Sequence, residues 1–158
     1  MSGRVVTYTM DDAGRPKSAL SGSTNYVSSA TYAPHGAART LKLGGTTALQ
    51  AQWGTFNGKL QLEGFTVSKL SAPAATLLTL GYGYGGTSNN GNPVSHTVSD
   101  GLSVRTQKFT YDAANRLATA CEANVGSSTC TVTAGTTWTG LGYGQAYGYD
   151  SYSNRWVD

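Results

Sequence analysis

A nine-residue stretch of the chain decides its fold: residues 109–117 read Phe-Thr-Tyr-Asp-Ala-Ala-Asn-Arg-Leu. The Asp112 carboxylate can accept a backbone N–H two residues further on, which is typical of the start of a tight turn. Asn115 tolerates the left-handed backbone conformation that ends such a turn. Arg116 opens the returning strand, where its flat guanidinium can pair with the aspartate and stack on a neighbouring tyrosine. The stretch therefore predicts a β-hairpin.

Two further stretches follow the same template. Residues 8–16 have a methionine in place of the tyrosine, and residues 147–156 have Ser153 where glycine or asparagine belongs. Because asparagine tolerates the left-handed conformation better than serine, we expect Asn154 to take that role. The predicted turn residues of the three copies are Tyr8, Asp11, Gly14 and Arg15; Tyr111, Asp112, Asn115 and Arg116; and Tyr149, Asp150, Asn154 and Arg155.

Weaker copies lie between these three, each led by an aromatic residue: Tyr32, Phe56 and Tyr84. The dipeptide Asn57-Gly58 is typical of a two-residue hairpin turn, in which both positions have positive φ. Apolar and polar residues alternate between the turns, as expected for strands with one covered face. A hairpin cannot bury its apolar face alone, so we expect successive copies to form a continuous core. The prediction is an all-β chain of consecutive antiparallel β-hairpins in a spiralling or curved sheet, one repeat region over 1–158.

The composition excludes several classes of protein. Charged residues make up 12% of the chain and glycine 21 of its 158 positions, whereas helical bundles and coiled coils need abundant Ala, Glu, Lys and Leu. Collagen requires a strict Gly-X-Y period, which is absent. A net charge of +3 with 10% aromatic residues does not fit charge-driven disorder. The 11 Lys and Arg residues never cluster, so we expect no nucleic-acid partner.

Neither a membrane span nor a cofactor is predicted. No apolar run reaches the ~18 residues that cross a bilayer, and the first residues lack the apolar core of a signal peptide. Cys121 and Cys130 predict either a disulfide-closed loop in an oxidising compartment or two free thiols in a reducing one. No Cys-x2-Cys or His-x3-His spacing accompanies them, so no metal site is expected.

Three patterns that can carry catalysis are present, and each has a better structural interpretation. Residues 81–86 satisfy Gly-x-Gly-x-x-Gly, but a loop follows them rather than the helix that a dinucleotide site needs. His35 and His96 have no nucleophile elbow near them. Asp11 and Asp12 point to opposite faces of a strand, which does not suit an acid–base pair. No catalytic residue is predicted, and the chain is not expected to be an enzyme.

The three tryptophans leave two interpretations open. Trp53, Trp138 and Trp156 either form a platform on which sugar rings stack, or supply buried area to the repeat core.

The Tyr-Asp pairs at 111–112 and 149–150, each followed by an Asn-Arg pair, resemble the repeats of the YD-repeat, or RHS-repeat, family. The resemblance extends from Tyr8 to Trp156. It implies a large exported or surface protein whose hairpins wind into a hollow shell, with no catalytic residue in the repeats. In toxin members of the family the shell encapsulates a cleaved C-terminal toxic domain.

The resemblance gives the functional expectation. We expect a non-enzymatic segment of a bacterial surface or toxin-encapsulating shell protein, secreted or at the cell surface, and a fragment of a longer chain. Its partners would be neighbouring repeats, together with an encapsulated toxin domain or surface glycans. The alternative is an adhesin module that binds carbohydrate or cell surfaces through exposed aromatics.

Overall fold

The computed structural model describes residues 3–45, 48–123, 131–133 and 142–157. The chain divides into two compact units, Met1–Thr79 and Leu80–Asp158. In the described ranges the strands pair antiparallel, and the only helical element is a single 3-10 turn at Gly86–Ser88. The predicted fold class, consecutive antiparallel hairpins in an open sheet, is confirmed.

In the first unit the strands are neighbours in the sheet in the order in which they follow along the chain. They are β1 (Thr7–Met10), β2 (Pro16–Ser21), β3 (Thr24–Tyr32), β4 (Ala38–Leu43), β5 (Leu49–Trp53), β6 (Gly64–Lys69) and the start of β7 (Ala75–Gly83).

The second unit follows the same rule. It contains the end of β7, then β8 (Ser95–Ser99), β9 (Val104–Tyr111), β10 (Leu117–Ala123), β11 (Gly144–Tyr149) and β12 (Arg155–Val157). Such an order needs only local connections, which agrees with the turn signals that separate the strands in the sequence.

Three hairpins contain a β-bulge at the same distance from their turns. In the β9–β10 hairpin, Tyr111 lies opposite Leu117 but Thr110 lies opposite Thr119, so Ala118 is the extra residue. Lys17 and Arg39 are the extra residues of the β1–β2 and β3–β4 hairpins, with the same offsets. A bulge increases the local twist and re-aims the side chains beside it.

The sheet of the first unit has one apolar and one polar face. Leu41, Ala51 and Val67 are opposite one another on β4, β5 and β6, and therefore share a face. Thr40, Gln52 and Thr66 form the neighbouring row on the other face. Period-two alternation in the sequence produces this separation directly.

The expected continuous core holds no large, fully buried side chain among the described residues. Their buried apolar residues are small: Ala19, Ala33, Ala48, Ala120, Cys121, Ala123 and Ala146. Leucines such as Leu43 and Leu49 are 40% exposed. The reason is that a strand covers only the flanks of the side chains on the next strand, and full burial needs a second layer over the face.

Candidate functional site

Five turns share one backbone geometry. In each, the N–H of the first residue donates to the carbonyl of the fifth, and the N–H of the fourth donates to the carbonyl of the first, at 2.8 to 3.2 Å. The fourth residue is left-handed, with φ between 61° and 92°. The first residues of the five turns are Asp11, Ala33, Asn57, Asp112 and Asp150.

The aspartate organises its turn through both carboxylate oxygens. Asp112 Oδ1 accepts the backbone N–H of Ala114 at 2.9 Å and that of Arg116 at 2.8 Å. Its Oδ2 accepts Nε of Arg116 at 2.7 Å, and Nη2 of the same guanidinium lies 2.7 Å away. Asp11 makes the same set of bonds to Ala13 and Arg15. One side chain thereby satisfies two loop N–H groups and fixes the arginine.

These bonds favour the charged form of the carboxyl groups. The backbone N–H of Arg116 is the main cause that lowers the pKa of Asp112, and the backbone N–H of Arg15 does the same for the pKa of Asp11. The pKa of Asp150 is lowered chiefly by its hydrogen bond with the Asn154 side chain. A carboxyl group that acts as a general acid near neutral pH needs a raised pKa, so the lowered values suit a structural turn.

The turn at Asp150 corrects the expected register. Ser153, not Asn154, is left-handed, with φ 66°. Asn154 occupies the position of the arginine, and its Nδ2 donates to Asp150 Oδ2 at 2.7 Å. Arg155 is consequently one residue beyond the turn, with its guanidinium 4.9 Å from the centre of the Tyr147 ring. The Asp–fifth-residue contact sets the register more strongly than the conformational preference of asparagine over serine.

The prediction for Asn57-Gly58 was wrong in a similar way. Asn57 is the first residue of a five-residue turn, and its Oδ1 accepts the N–H groups of Lys59 and Gln61 as Asp112 does in its own turn. The left-handed residue is Leu60, with φ 61°. Asparagine here uses its side-chain oxygen as a turn acceptor instead of adopting positive φ.

An aromatic residue directly before a turn contacts the turn that precedes it in the chain. The Tyr32 hydroxyl donates to the carbonyl of Pro16 at 2.7 Å, and the Arg15 guanidinium lies 4.6 Å from the centre of the Tyr32 ring. In the second unit the Tyr149 hydroxyl donates to the Leu117 carbonyl at 2.8 Å, with Arg116 4.3 Å from the ring. We call this pair of contacts the tyrosine anchor.

The anchor couples one hairpin to the next. Its arginine is already held by the aspartate of its own turn, so the guanidinium is bound between a carboxylate and a ring face. The sequence indicates that arginine can stack on tyrosine, but it does not identify the partner as the tyrosine of the following copy. Of the two contacts, Tyr111 makes the hydroxyl contact, to the Pro93 carbonyl at 2.8 Å, and no arginine is seen over its ring in the described part of the chain.

Two of the three tryptophans of the predicted aromatic platform lie in the described residues. Trp53 is half-buried and meets Phe65 edge-on, with ring centres 5.2 Å apart. Trp156 is 48% exposed, and its indole covers the backbone at Gly148, where an added Cβ would collide with it. Trp138 lies outside the described residues. Tyr8 is 59% exposed and lies opposite the buried Ala19.

The remaining residues that were considered for chemistry are a cysteine pair, a glycine-rich stretch and a histidine. Cys121 carries no free thiol, but Cys130 lies outside the described residues, so their pairing stays a prediction. The Gly-x-Gly-x-x-Gly stretch runs from β7 into the 3-10 turn, without the long helix of a dinucleotide site. His96 lies on β8, stacked on Tyr82 with ring centres 4.9 Å apart.

The described ranges show neither a metal-binding cluster nor a membrane-spanning helix. They hold no group of three or more His, Cys, Asp or Glu side chains placed to bind a metal ion. They also contain no helix with the length and apolar character needed to span a membrane.

Comparisons with known proteins show where this architecture occurs. No protein-family model and no curated protein matches the sequence. A chain of the Photorhabdus luminescens Tc holotoxin pore matches over 97% of this chain, with a TM-score of 0.70 and 19% identity. A chain in the crystal structure of TcdB2-TccC3-TEV matches over 94%, with a TM-score of 0.65 and 20% identity. The chain spans only 8% of the length of each. It therefore shares the fold of the RHS/YD-repeat shell proteins to which these toxin chains belong.

Proposed function

We propose that this chain is a non-enzymatic wall segment of a toxin-encapsulating shell, with residues 1–158 forming one continuous repeat region. The observation that carries the proposal is the structural match, which extends over 97% of the chain and uses only 8% of the toxin chain. A chain that matches a small part of a much longer chain over nearly all of its own length is what we expect of one segment of a larger wall. The shell would be exported, and its partners would be adjoining repeats and an enclosed toxin domain.

The physical basis is mechanical. The Asp11 and Asp112 turns satisfy their loop N–H groups through the aspartate side chain, and the two tyrosine anchors each join a hairpin to the one before it. Nearest-neighbour coupling of this kind lets a repeat array extend without a separate core for each unit. The side chains used for it form no titratable cluster of the kind that catalysis needs.

Protease protection tests this role. In the complete reading frame that contains this chain, we expect a C-terminal segment that trypsin cleaves slowly while the wall is intact. Replacing both anchors, by Tyr32→Ala with Tyr149→Ala, should speed its cleavage, whereas Tyr8→Ala, which removes an exposed ring outside the anchors, should not. A reading frame without any protected segment would overturn the encapsulation proposal.

Glycan binding is the second candidate, and exposed aromatics favour it. Trp156 is 48% and Tyr152 86% exposed, and both lie at or beside the last described turn. Stacking on such rings is a common way to hold a sugar face. A glycan array should then show binding that Trp156→Ala abolishes while the fold is retained. Equal signals from Trp156→Ala and the unmodified chain would eliminate this candidate.

A further inference from the structure

The contact between the turns at Ala33 and Asn57 lacks both halves of the tyrosine anchor. The fifth residue of the first turn is Ala37, where the two turns that take part in tyrosine anchors have Arg15 and Arg116. The aromatic residue before the second turn is Phe56, which has no hydroxyl to reach a carbonyl. Phe56 instead meets His35 edge-on, with ring centres 4.7 Å apart and planes at 80°.

A surface cleft lies between these two turns. Its volume is about 300 Å³, and it is lined by Pro34, His35, Arg39, Thr55, Phe56 and Leu60, among others. Leu60, the left-handed residue of the Asn57 turn, is 60% exposed. The volume is at the lower end of the range for small-molecule pockets, which suits a ligand of one ring and a short substituent.

The polar groups of the cleft favour an anion. Arg39 is the extra residue of the β3–β4 bulge, exposed, and in the described part of the chain no ion pair involves it. The His35 ring and the Thr55 hydroxyl add donors beside it. Among the described residues no carboxylate lines the cleft; the side chain of Glu63, whose backbone N–H bonds to the Thr55 carbonyl, is not part of the lining. A guanidinium binds a planar carboxylate through two parallel hydrogen bonds.

We propose that this cleft binds a small carboxylate that carries a flat apolar body. The carboxylate pairs with Arg39 and takes a hydrogen bond from His35 or Thr55, while the apolar body covers Phe56 and Leu60. The inference does not depend on the shell role, since it rests on the cleft alone.

Titration of the chain with phenylacetate, followed by amide chemical shifts, tests the proposal. We expect shifts confined to the turns at Ala33 and Asn57, and binding at millimolar concentration or tighter, as one ring and one charge allow. Arg39→Gln should weaken binding by about tenfold or more. The matched control is Lys17→Gln, at the same bulge position beside an intact anchor, and it should leave binding unchanged.

A variant of the apolar lining provides the second arm. Phe56→Ala removes the flat surface that the ring of phenylacetate would cover, and should weaken binding by about tenfold or more. If that variant does not fold, the Arg39→Gln and Lys17→Gln pair decides alone. Three results would overturn the proposal: no shift up to the solubility of phenylacetate, equal binding of the neutral analogue 2-phenylethanol, or equal losses from Arg39→Gln and Lys17→Gln.

Discussion

Leu60 holds a backbone conformation that glycine holds in two of the equivalent turns, at Gly14 and Gly36. A left-handed conformation costs a residue with a Cβ about 1–2 kcal/mol, while glycine loses about 0.5–1 kcal/mol more chain entropy on folding. The side chain of Leu60 is mostly exposed and recovers little by burial. The position is therefore occupied at a net conformational cost.

Leu60→Gly should stabilise the chain by about 0.5–1 kcal/mol, because it removes that cost. The reverse change, Gly14→Leu, should destabilise it by about 1 kcal/mol or more, although nothing lies within 4 Å of an added Cβ there. Urea unfolding at neutral pH measures both. If both variants were as stable as the unmodified chain, positive φ would not be required at these positions.

The turn aspartates predict how stability depends on pH. Since hydrogen bonds lower the pKa of Asp11, Asp112 and Asp150 in the folded chain, their contribution is complete above the unfolded value of ~3.9 and is lost as the pH falls through the folded values. We expect urea midpoints to decrease from pH ~6 toward pH ~2.

Asp112→Asn isolates one of these groups. Asparagine keeps the acceptor for the two loop N–H groups, as Asn57 shows, but it does not titrate. The variant should lose less stability than the unmodified chain between the two pH values. A steeper loss in Asp112→Asn would contradict the assigned direction of the Asp112 shift.

At the scale of the elements, the hairpin is the unit that the sequence specifies best. The turn at Asp112 is predictable because its chemistry is local, so that a few side chains determine both conformation and register. The turn at Ala33 follows only from Tyr32 and Gly36, since its first and fifth residues have no polar side chain. The predicted register of the Asp150 turn was wrong by one residue. The hydrogen bond from Asn154 to the Asp150 carboxylate depends on the three-dimensional arrangement of the turn, which the residue pattern does not specify.

Hydroxyl pairs recur across three of these hairpins at a fixed distance from the turn. Thr110 and Thr119 hydroxyls are 2.6 Å apart, and Thr9 and Ser18 hold the equivalent positions with the same separation. The Thr31–Thr40 pair completes the set. Such cross-strand pairs stabilise a sheet modestly, and here they mark the strand position next to each bulge.

The hydroxyl of the tyrosine anchor should contribute measurably to stability. Tyr32→Phe removes only the hydrogen bond to the Pro16 carbonyl and should cost about 0.5–1.5 kcal/mol. Tyr8→Phe is the control, because its ring is exposed and no hydrogen bond of its hydroxyl is seen in the described residues. Chemical denaturation of both variants measures the difference, and equal midpoints would show that the Tyr32 hydroxyl adds nothing.

At the scale of the whole molecule, the coupling between hairpins is the property that sequence patterns do not reveal. The spacing of the copies predicts that they adjoin, but not that the tyrosine of one copy reaches the arginine of the copy before it. The described residues also lack a large buried core, and the alternation of apolar and polar residues does not predict this. The alternation indicates which residues share a face of the sheet, but not whether a second layer covers that face.

A double-mutant cycle between Arg116 and Tyr149 tests that coupling most directly. Arg116→Met also removes the ion pair with Asp112, but that loss occurs in both arms of the cycle and cancels. With Tyr149→Leu as the partner change, we predict a coupling energy of about 0.5–1 kcal/mol, and additivity for the control pair of Arg105→Met with Tyr149→Leu. Additive effects of Arg116→Met and Tyr149→Leu would contradict the claim that tyrosine anchors join successive hairpins.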